Sequence, residues 1–294
     1  MVATLSEYMD AISDYGRRLT VELFRRIGMT GDPFPEHVVA TKTKNKWFRG
    51  QSHDYPLLPK LYRKGSDYTN EQKVMQECRR KAISLSSVPS WREYDAWLFL
   101  MQHHGLSTRL LDWTESSGTA LFFAVENWRK YKNNRKFSPV VWMVNPNALN
   151  FEEGGSILPG TAEDEYVRSP KSTDYLFGRG NLVGAFLGDD AVDEKTGELI
   201  CREKPIAIAA RYVHTRMQVQ RSCFTVHGRR KEGFGELYVG CNLVQQGILA
   251  PIRIDPTKAE RIVSELREFG ISKTTLFPDL EGIAADLNES FADR

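Results

Sequence analysis

Two segments carry more polar chemistry than packing alone requires. Trp47-Phe48-Arg49-Gly50-Gln51 sets a guanidinium between an aromatic ring and a glycine. Gln102 to Thr114 reads Gln-His-His-Gly-Leu-Ser-Thr-Arg-Leu-Leu-Asp-Trp-Thr. That block holds two imidazoles, one guanidinium, one carboxylate and three hydroxyls in thirteen residues. A plain core strand is rich in Val and Ile. Polar groups this dense are hydrogen-bonded to one another or face a ligand. Arg49 offers a fork of donors that matches phosphate oxygens. Gly50 lets the backbone approach a ligand, since it has no Cβ. Trp47 or Trp113 offers a stacking face to a flat ring. Imidazoles serve as acid and base.

Each of these residues also has a purely structural role to weigh. Arg49 can pair with Asp112 or a backbone carbonyl. His103 and His104 are adjacent near a helix end and point apart, so one is a cap or a core residue. Arg109 and Asp112 sit three apart in an extended segment and tend towards opposite faces. Asp112 can cap the helix that follows, and Thr108 suits a strand on propensity alone. Glu71 is a favourable first-turn charge. Gln220 can fix a neighbouring loop, and His227-Gly228 can form a turn with a hydrogen-bonded histidine. The run Arg229-Arg230-Lys231 reads as a solvated loop.

The elements that must position these groups follow from periodicity. Residues 5–27 predict an amphipathic helix through Leu5, Met9, Ile12, Leu19, Leu23 and Phe24, with Ser6 as its cap. Residues 28–36 predict a loop and Trp47 to Gly50 a short strand. Residues 70–87 and 91–105 predict helices, the second ending at Gly105. Ser107 to Trp113 is extended and Glu115 to Tyr131 helical. Pro139 to Val144, Ile206 to Tyr212, Cys223 to His227 and Leu249 to Ile254 predict strands. Residues 145–200 predict long loops of the kind that are often functional. Thr257 to Phe269 and residues 279–288 predict helices. Helices and strands interleave without strict βαβ alternation, which predicts an α+β fold.

The bulk properties narrow the function classes. The chain has 294 residues, 41% hydrophobic and 27% charged, which suits one large domain needing no disulfide or metal to fold. The net charge of +2 gives no global pull towards nucleic acid or membrane. Cys78, Cys201, Cys223 and Cys241 show no C-x-x-C spacing, which argues against a zinc site and fits a reducing compartment. The first fifteen residues lack a basic region followed by an apolar run, so a cytoplasmic location with no membrane partner is expected. There is no HExxH pair, and the glycines at 154–155 and 178–180 lack the Lys-Ser/Thr of a phosphate loop.

The two motifs, with others in order, resemble the FRG-domain family, whose name is the triplet Phe48-Arg49-Gly50. The resemblance runs over residues 40–283 through Leu58-Pro59, Arg63, the 102–114 block, Ala120-Leu121-Phe122-Phe123-Ala124, Gln220 to Gly228, Gly270-Ile271 and Leu276-Phe277-Pro278-Asp279-Leu280. It implies an N-terminal helical extension over 1–39 and an FRG domain over 40–294. One departure stands out: the family carries a glycine shortly after the glutamine, where this chain has Ser222-Cys223.

A second resemblance is to ADP-ribosyltransferases. They place an arginine after an aromatic residue on an early strand, then Ser/Thr before an Ala- and Phe-rich helix, then Glu or Gln on a later strand. Phe48-Arg49, Ser107-Thr108 before Ala120 to Ala124, and Gln220 repeat that order. The implied fold is a single mixed domain with a central, largely antiparallel split sheet flanked by helices. The implied substrate is NAD, with no metal. Arg49, Thr108, Gln220 and His104 are the implied catalytic residues, and Phe48, Gly50, Gln51, His103, Arg109 and Asp112 the implied ligand contacts. No carboxylate stands on the last strand, so Asp112, Glu71 or a histidine must take that part. The implied role is a toxin or anti-phage defence effector modifying a nucleic acid or protein, restrained by a neutralising partner protein. Two alternatives stay open: a metal-independent ribonuclease using His103, His104, His214 and His227 with Arg49 and Arg109, and a non-catalytic nucleotide-binding sensor or interaction module.

Overall fold

The computed structural model describes residues 1–26, 46–63, 65–66, 68–85, 88–91, 93–131, 136–152, 205–208, 210, 212, 214–228, 231–234 and 248–291. The expected loop at 28–36, nearly all of the 145–200 region, and Arg229-Arg230 lie outside the described residues. In chain order the elements are α1 (Leu5–Arg26), β1 (Trp47–Gln51), α2 (Lys60–Arg63), α3 (Tyr68–Ala82), α4 (Tyr94–His103) and β2 (Leu110–Thr114). Then follow α5 (Ser117–Val125), α6 (Trp128–Tyr131), β3 (Val140–Val144), α7 (Pro146–Glu152), β4 (Ile206–Ile208) and α8 (Thr215–Val219). The remainder is β5 (Ser222–Val226), β6 (Leu249–Arg253), a 3-10 turn (Pro256–Lys258), α9 (Ala259–Glu268), α10 (Lys273–Leu276) and α11 (Leu280–Phe291). No described helix is long and apolar enough to cross a membrane.

Six strands among the described residues form one sheet in the order β4-β5-β2-β1-β3-β6, every pairing antiparallel. With helices on both faces this is an α+β fold. Residues β1–β3, β2–β5 and β3–β6 each pair over five positions, whereas β1 and β2 share only Phe48↔Thr114. The sheet is therefore split at its centre into halves β4-β5-β2 and β1-β3-β6. Alternation along the strands sorts their side chains into three cores. Phe48, Val141, Met143, Ala250 and Ile252 pack under α5, α9 and α1. On the same face of the other half, Leu110, Phe224 and Val226 pack under Trp97, Leu98 and Met101 of α4. Trp47, Leu111, Trp113, Val144 and Cys223 pack on the opposite face with Ala148 and Leu149 of α7.

Helix α1 is built into this core, with Tyr8, Ile12 and Leu19 buried. Each such side chain contributes roughly 1.5–3 kcal/mol. Its cap is Thr4 rather than Ser6: Thr4 Oγ1 accepts from Glu7 N–H at 3.2 Å. The hydroxyl two residues earlier is the one that meets an orphan N–H of the first turn. Both sheet edges are covered, as exposed edges invite aggregation. Asn150 exchanges two hydrogen bonds with the Ala207 backbone on β4, and Val2 pairs with the strand end at Ile254 beyond β6.

The expected helix over 115–131 is two helices broken at Glu126-Asn127, and its cap is Ser116, which accepts from Thr119 N–H. Asp112 is thus on β2, four residues before the cap, and is free for other work. Gln220 is not on a strand. It closes α8, and Arg221 then turns the chain into β5 with φ 48°. That left-handed conformation costs a non-glycine residue roughly 1–2 kcal/mol. Arg221→Gly is expected to raise stability by about 0.5–1 kcal/mol, within the range for relieved positive-φ strain less glycine's entropy. A denaturant midpoint at or below that of the parent chain would contradict this.

Candidate functional site

The split between β1 and β2 is where the chemistry gathers. Beyond Phe48↔Thr114 the strands diverge, and Arg49 fills the gap from β1. Its Nη1 donates to the Asp112 carbonyl at 2.8 Å and lies 3.8 Å from Asp112 Oδ2. The Arg49 side chain is 16% exposed and that of Asp112 is 54% exposed. Gln102 Nε2 donates to Asp112 Oδ2 at 2.8 Å. Gln102 Oε1 in turn accepts from Thr108 Oγ1, and Thr108 Oγ1 accepts from Leu110 N–H at 3.3 Å. Guanidinium, carboxylate, amide and hydroxyl form one connected network, which holds the half-exposed carboxylate in place.

The turn after α4 makes this network possible. Gly105 has φ +75°, its N–H reaches the Gln102 carbonyl, and Leu106 N–H reaches Met101. This is a left-handed helix stop, favoured at glycine. It folds the chain back so that Thr108 meets Gln102. Helix α2 closes the open end of the split: Leu61 N–H donates to the Thr108 carbonyl, Tyr62 O–H to the Gly228 carbonyl and Lys60 Nζ to Gly105. Burial lowers the Arg49 pKa, Asp112 offsets this and the Arg63 charge adds to it. Arg49 thus feels a second cation as well as its carboxylate, and positive charge gathered in this way attracts an anion.

Behind Arg49 runs a buried relay. Trp113 Nε1 donates to Thr225 Oγ1 at 3.0 Å, and Thr225 Oγ1 lies 3.4 Å from His227 Nε2. His227 is fully buried against Phe234. Burial, and then the Arg49 charge, pull its pKa from 6.5 down to about 3. Between these values the unfolded chain takes up a proton that the folded chain does not, so stability falls as pH falls from 6.5 towards 3. The expected slope from this one histidine approaches about 1.4 kcal/mol per pH unit. His103, drawn down to about 4 chiefly by burial, acts in the same direction. Melting temperatures should therefore decline from about pH 6 downwards, before ordinary carboxylates titrate, and His227→Asn should flatten the decline. A flat profile between pH 7 and pH 5 in the parent chain would refute it.

A second cluster sits on the helix-α4 side. The rings of His103 and His214 lie 3.9 Å apart and those of His103 and His104 5.0 Å apart. His214 Nδ1 accepts from Arg216 N–H, so its neutral form carries the proton on Nε2. Arg216 pairs with Asp279 and covers the Phe277 ring. Among the described residues no group of three or more His, Cys, Asp or Glu side chains is placed to hold a metal ion.

Several expected contacts stand elsewhere. Phe48 and Gly50 face α5, where a Cβ on Gly50 would meet the Ala120 carbonyl, so the bare glycine serves the helix and not a ligand. Trp47 and Trp113 are core residues with no face left for stacking. Arg109 is fully buried against Glu71, whose carboxylate accepts from Arg109 N–H at 2.7 Å and Nε at 2.6 Å. Glu71 is thereby committed and cannot supply the missing base. Gln220 points away, its amide donating to the Leu276 carbonyl. Gln51 accepts from Trp142 Nε1 on the Arg49 side of the sheet. His104 is exposed at the end of α4. The residues brought together are thus Arg49, Asp112 and Thr108. Gln102 joins them without having been singled out as a site residue; its place at the head of the polar block was its only signal. Two concavities lie apart from this site, one among charged side chains of α6, α9, α10 and α11 and one along α3. Neither contains Arg49, and the polar network with its unused donors marks the split as the better candidate.

Residues 44–133, which include both strands bounding the split, match the family model of the FRG domain. No curated protein and no solved structure matches the chain.

Proposed function

We propose that the FRG domain of this chain serves an ADP-ribosyltransferase-like enzyme that consumes NAD and transfers ADP-ribose to a nucleic acid or protein. The supporting observation is the centre of the split: a largely buried guanidinium, Arg49, beside a half-exposed carboxylate, Asp112, held by Gln102 and Thr108. Arg49, with Arg63 nearby, neutralises the diphosphate. Asp112 takes the part that no strand-borne glutamate fills among the described residues. It stabilises positive charge on the ribose as the C1′–N bond to nicotinamide breaks and the electron pair leaves with nicotinamide. The acceptor's nucleophilic atom then bonds to C1′, and its proton passes to Asp112 or to solvent. Thr108 and Gln102 are positioning residues, since they reach the chemistry through Asp112.

The test is incubation of the purified chain with isotope-labelled NAD, with and without RNA, DNA and protein extract. Nicotinamide release or label transfer should fall by roughly 100-fold or more in Arg49→Ala and in Asp112→Asn, with the melting curve as the control for folding. No turnover by the parent with any acceptor, or parent-like turnover in either variant, removes the proposal. A second reading has its own observation: His103, His104 and His214 come together from two elements. If RNA is lost from the same incubation, and the loss vanishes in His214→Ala while NAD is untouched, the metal-independent ribonuclease replaces the transferase. Binding of NAD without turnover leaves the nucleotide sensor. A toxin or defence role, and a neutralising partner, rest on the transferase reading.

A further inference from the structure

Helix α11 turns an apolar row to the outside. Leu280, Ile283, Leu287 and Phe291 are between 40% and 84% exposed. Successive helical residues turn by about 100°, so spacings of three, four and four put these side chains on one stripe. Single exposed leucines are ordinary, but a contiguous row marks an interaction site. On the helical wheel Glu281 and Asp286 flank the stripe on its two sides, and α11 holds no basic residue.

The concavity along α3 has the matching form. Val74, Cys78 and Ala82 recur at four-residue spacing and make its floor, with Leu85 and Leu106 lining it from beyond the helix. Lys73, Glu77 and Lys81 recur at the same spacing as a ridge beside that floor. Glu77 Oε2 lies 2.7 Å from Arg80 Nη2 and 3.7 Å from Lys81 Nζ, so its charge is offset and the rim is positive. The groove encloses about 510 Å³. Its floor runs about 12 Å along the helix axis, which is also the span from Ile283 to Phe291. No described residue of α11 lines this groove, so within one copy the two surfaces stand apart.

Charge decides the occupant. A second α11 against the stripe would set acidic flanks against acidic flanks, whereas α3 sets lysines against them. A helix that lies on a membrane carries Lys and Arg on its polar face, which α11 lacks. A small ligand would need polar groups to orient it, and the floor offers only a thiol.

We propose that the α11 stripe of one copy of this chain docks into the α3 groove of a second copy, apolar row on apolar floor and acidic flank beside lysine ridge. This is helix-in-groove recognition, read through anchors on one helical face. Donor and acceptor surfaces differ, so the contact is head to tail and leaves each pair with one groove and one stripe open. It needs nothing of the Arg49 site, and its test contains no nucleotide.

Sedimentation velocity of the full chain should show the average mass rising with concentration past that of a dimer. Leu287→Glu on the stripe and Val74→Glu on the floor, both at exposed positions, should each weaken association at least about tenfold. Equal amounts of the two variants should recover a single contact: the intact groove of one takes the intact stripe of the other, and the mass stops at two chains. In a separate trap, Leu287→Cys under copper phenanthroline should form a disulfide with Cys78 of a second copy, identified by peptide mass. If either glutamate variant melts early, the trap decides, and a product lacking the Cys78 linkage overturns the proposal. A parent chain that is monomeric at every concentration overturns it as well. So does association that Leu287→Glu abolishes and Val74→Glu leaves intact, which assigns the stripe to a second α11. Binding of a monomeric parent to phosphatidylglycerol vesicles, lost in Leu287→Glu, assigns the stripe to a lipid surface and also overturns it.

Discussion

Replacing Gly50 with alanine is expected to cost more than the roughly 1–3 kcal/mol usual for an overpacked core, and to lower the melting temperature by about 10 °C or more. A Cβ at Gly50 would stand 1.8 Å from the Ala120 carbonyl oxygen, 2.7 Å from Ala124 N and 2.9 Å from the Ala120 carbonyl carbon. All three are backbone atoms of α5, so no side chain can swing aside, and either the strand or the helix must move. β1 is held by five pairs to β3 and cannot shift alone. Arg49 is the neighbouring residue, so the displacement also carries the guanidinium away from the Asp112 carbonyl, and ligand binding should fall with stability. Gly118→Ala is the control. Its Cβ would meet the tip of the Ile271 side chain at 2.4 Å, a group that can rotate, and α5 gains a better helix former. Its melting temperature should stay within a few degrees of the parent. Equal melting of the two variants would show that the contact between α5 and β1 tolerates a methyl group.

Replacing Glu71 with alanine is expected to destabilise the fold by about 3–5 kcal/mol. Both partners of the Glu71–Arg109 pair are fully buried at a distance of 2.6 Å. The carboxylate also accepts from the Arg109 N–H, so it ties α3 to the start of β2 through both backbone and side chain. Removing it leaves a guanidinium inside the protein without its counter-charge. The double variant Glu71→Met with Arg109→Met removes both charges and should recover a large part of the loss, because desolvating the pair offsets much of its attraction. Recovery is expected to stop about 1–3 kcal/mol short, the cost of the Arg109 N–H left without its acceptor. Chemical denaturation of the three variants gives the coupling directly. A double variant no more stable than Glu71→Ala would mean that the pair contributes through packing and not through charge.

Local pattern carried much of this protein. Every predicted strand and helix among the described residues exists, because β-branched runs, helical spacing and glycine stops act within a few residues. The ends moved where a single hydroxyl or turn decided them: Thr4 in place of Ser6, Ser116 in place of Asp112, and Arg221 closing a turn ahead of β5. The dense block at 102–114 announced a polar network, and Arg49, Asp112 and Thr108 belong to it.

The partners within that network are set by distance through space and not by order along the chain. Glu71 and Arg109 are 38 residues apart, and only the packing of α3 on β2 reveals that each is spent on the other. Gln220 matches in order but points to Leu276, because its helix packs towards the C-terminal elements. Gly50 reads equally well as a gap for a ligand or for a helix, and the position of α5 decides for the helix. The sequence by itself determined the element types, the α+β class and the polar segments, since these follow from local periodicity and composition. The tertiary structure alone decided which carboxylate faces Arg49, because that depends on where strands 63 residues apart in sequence diverge.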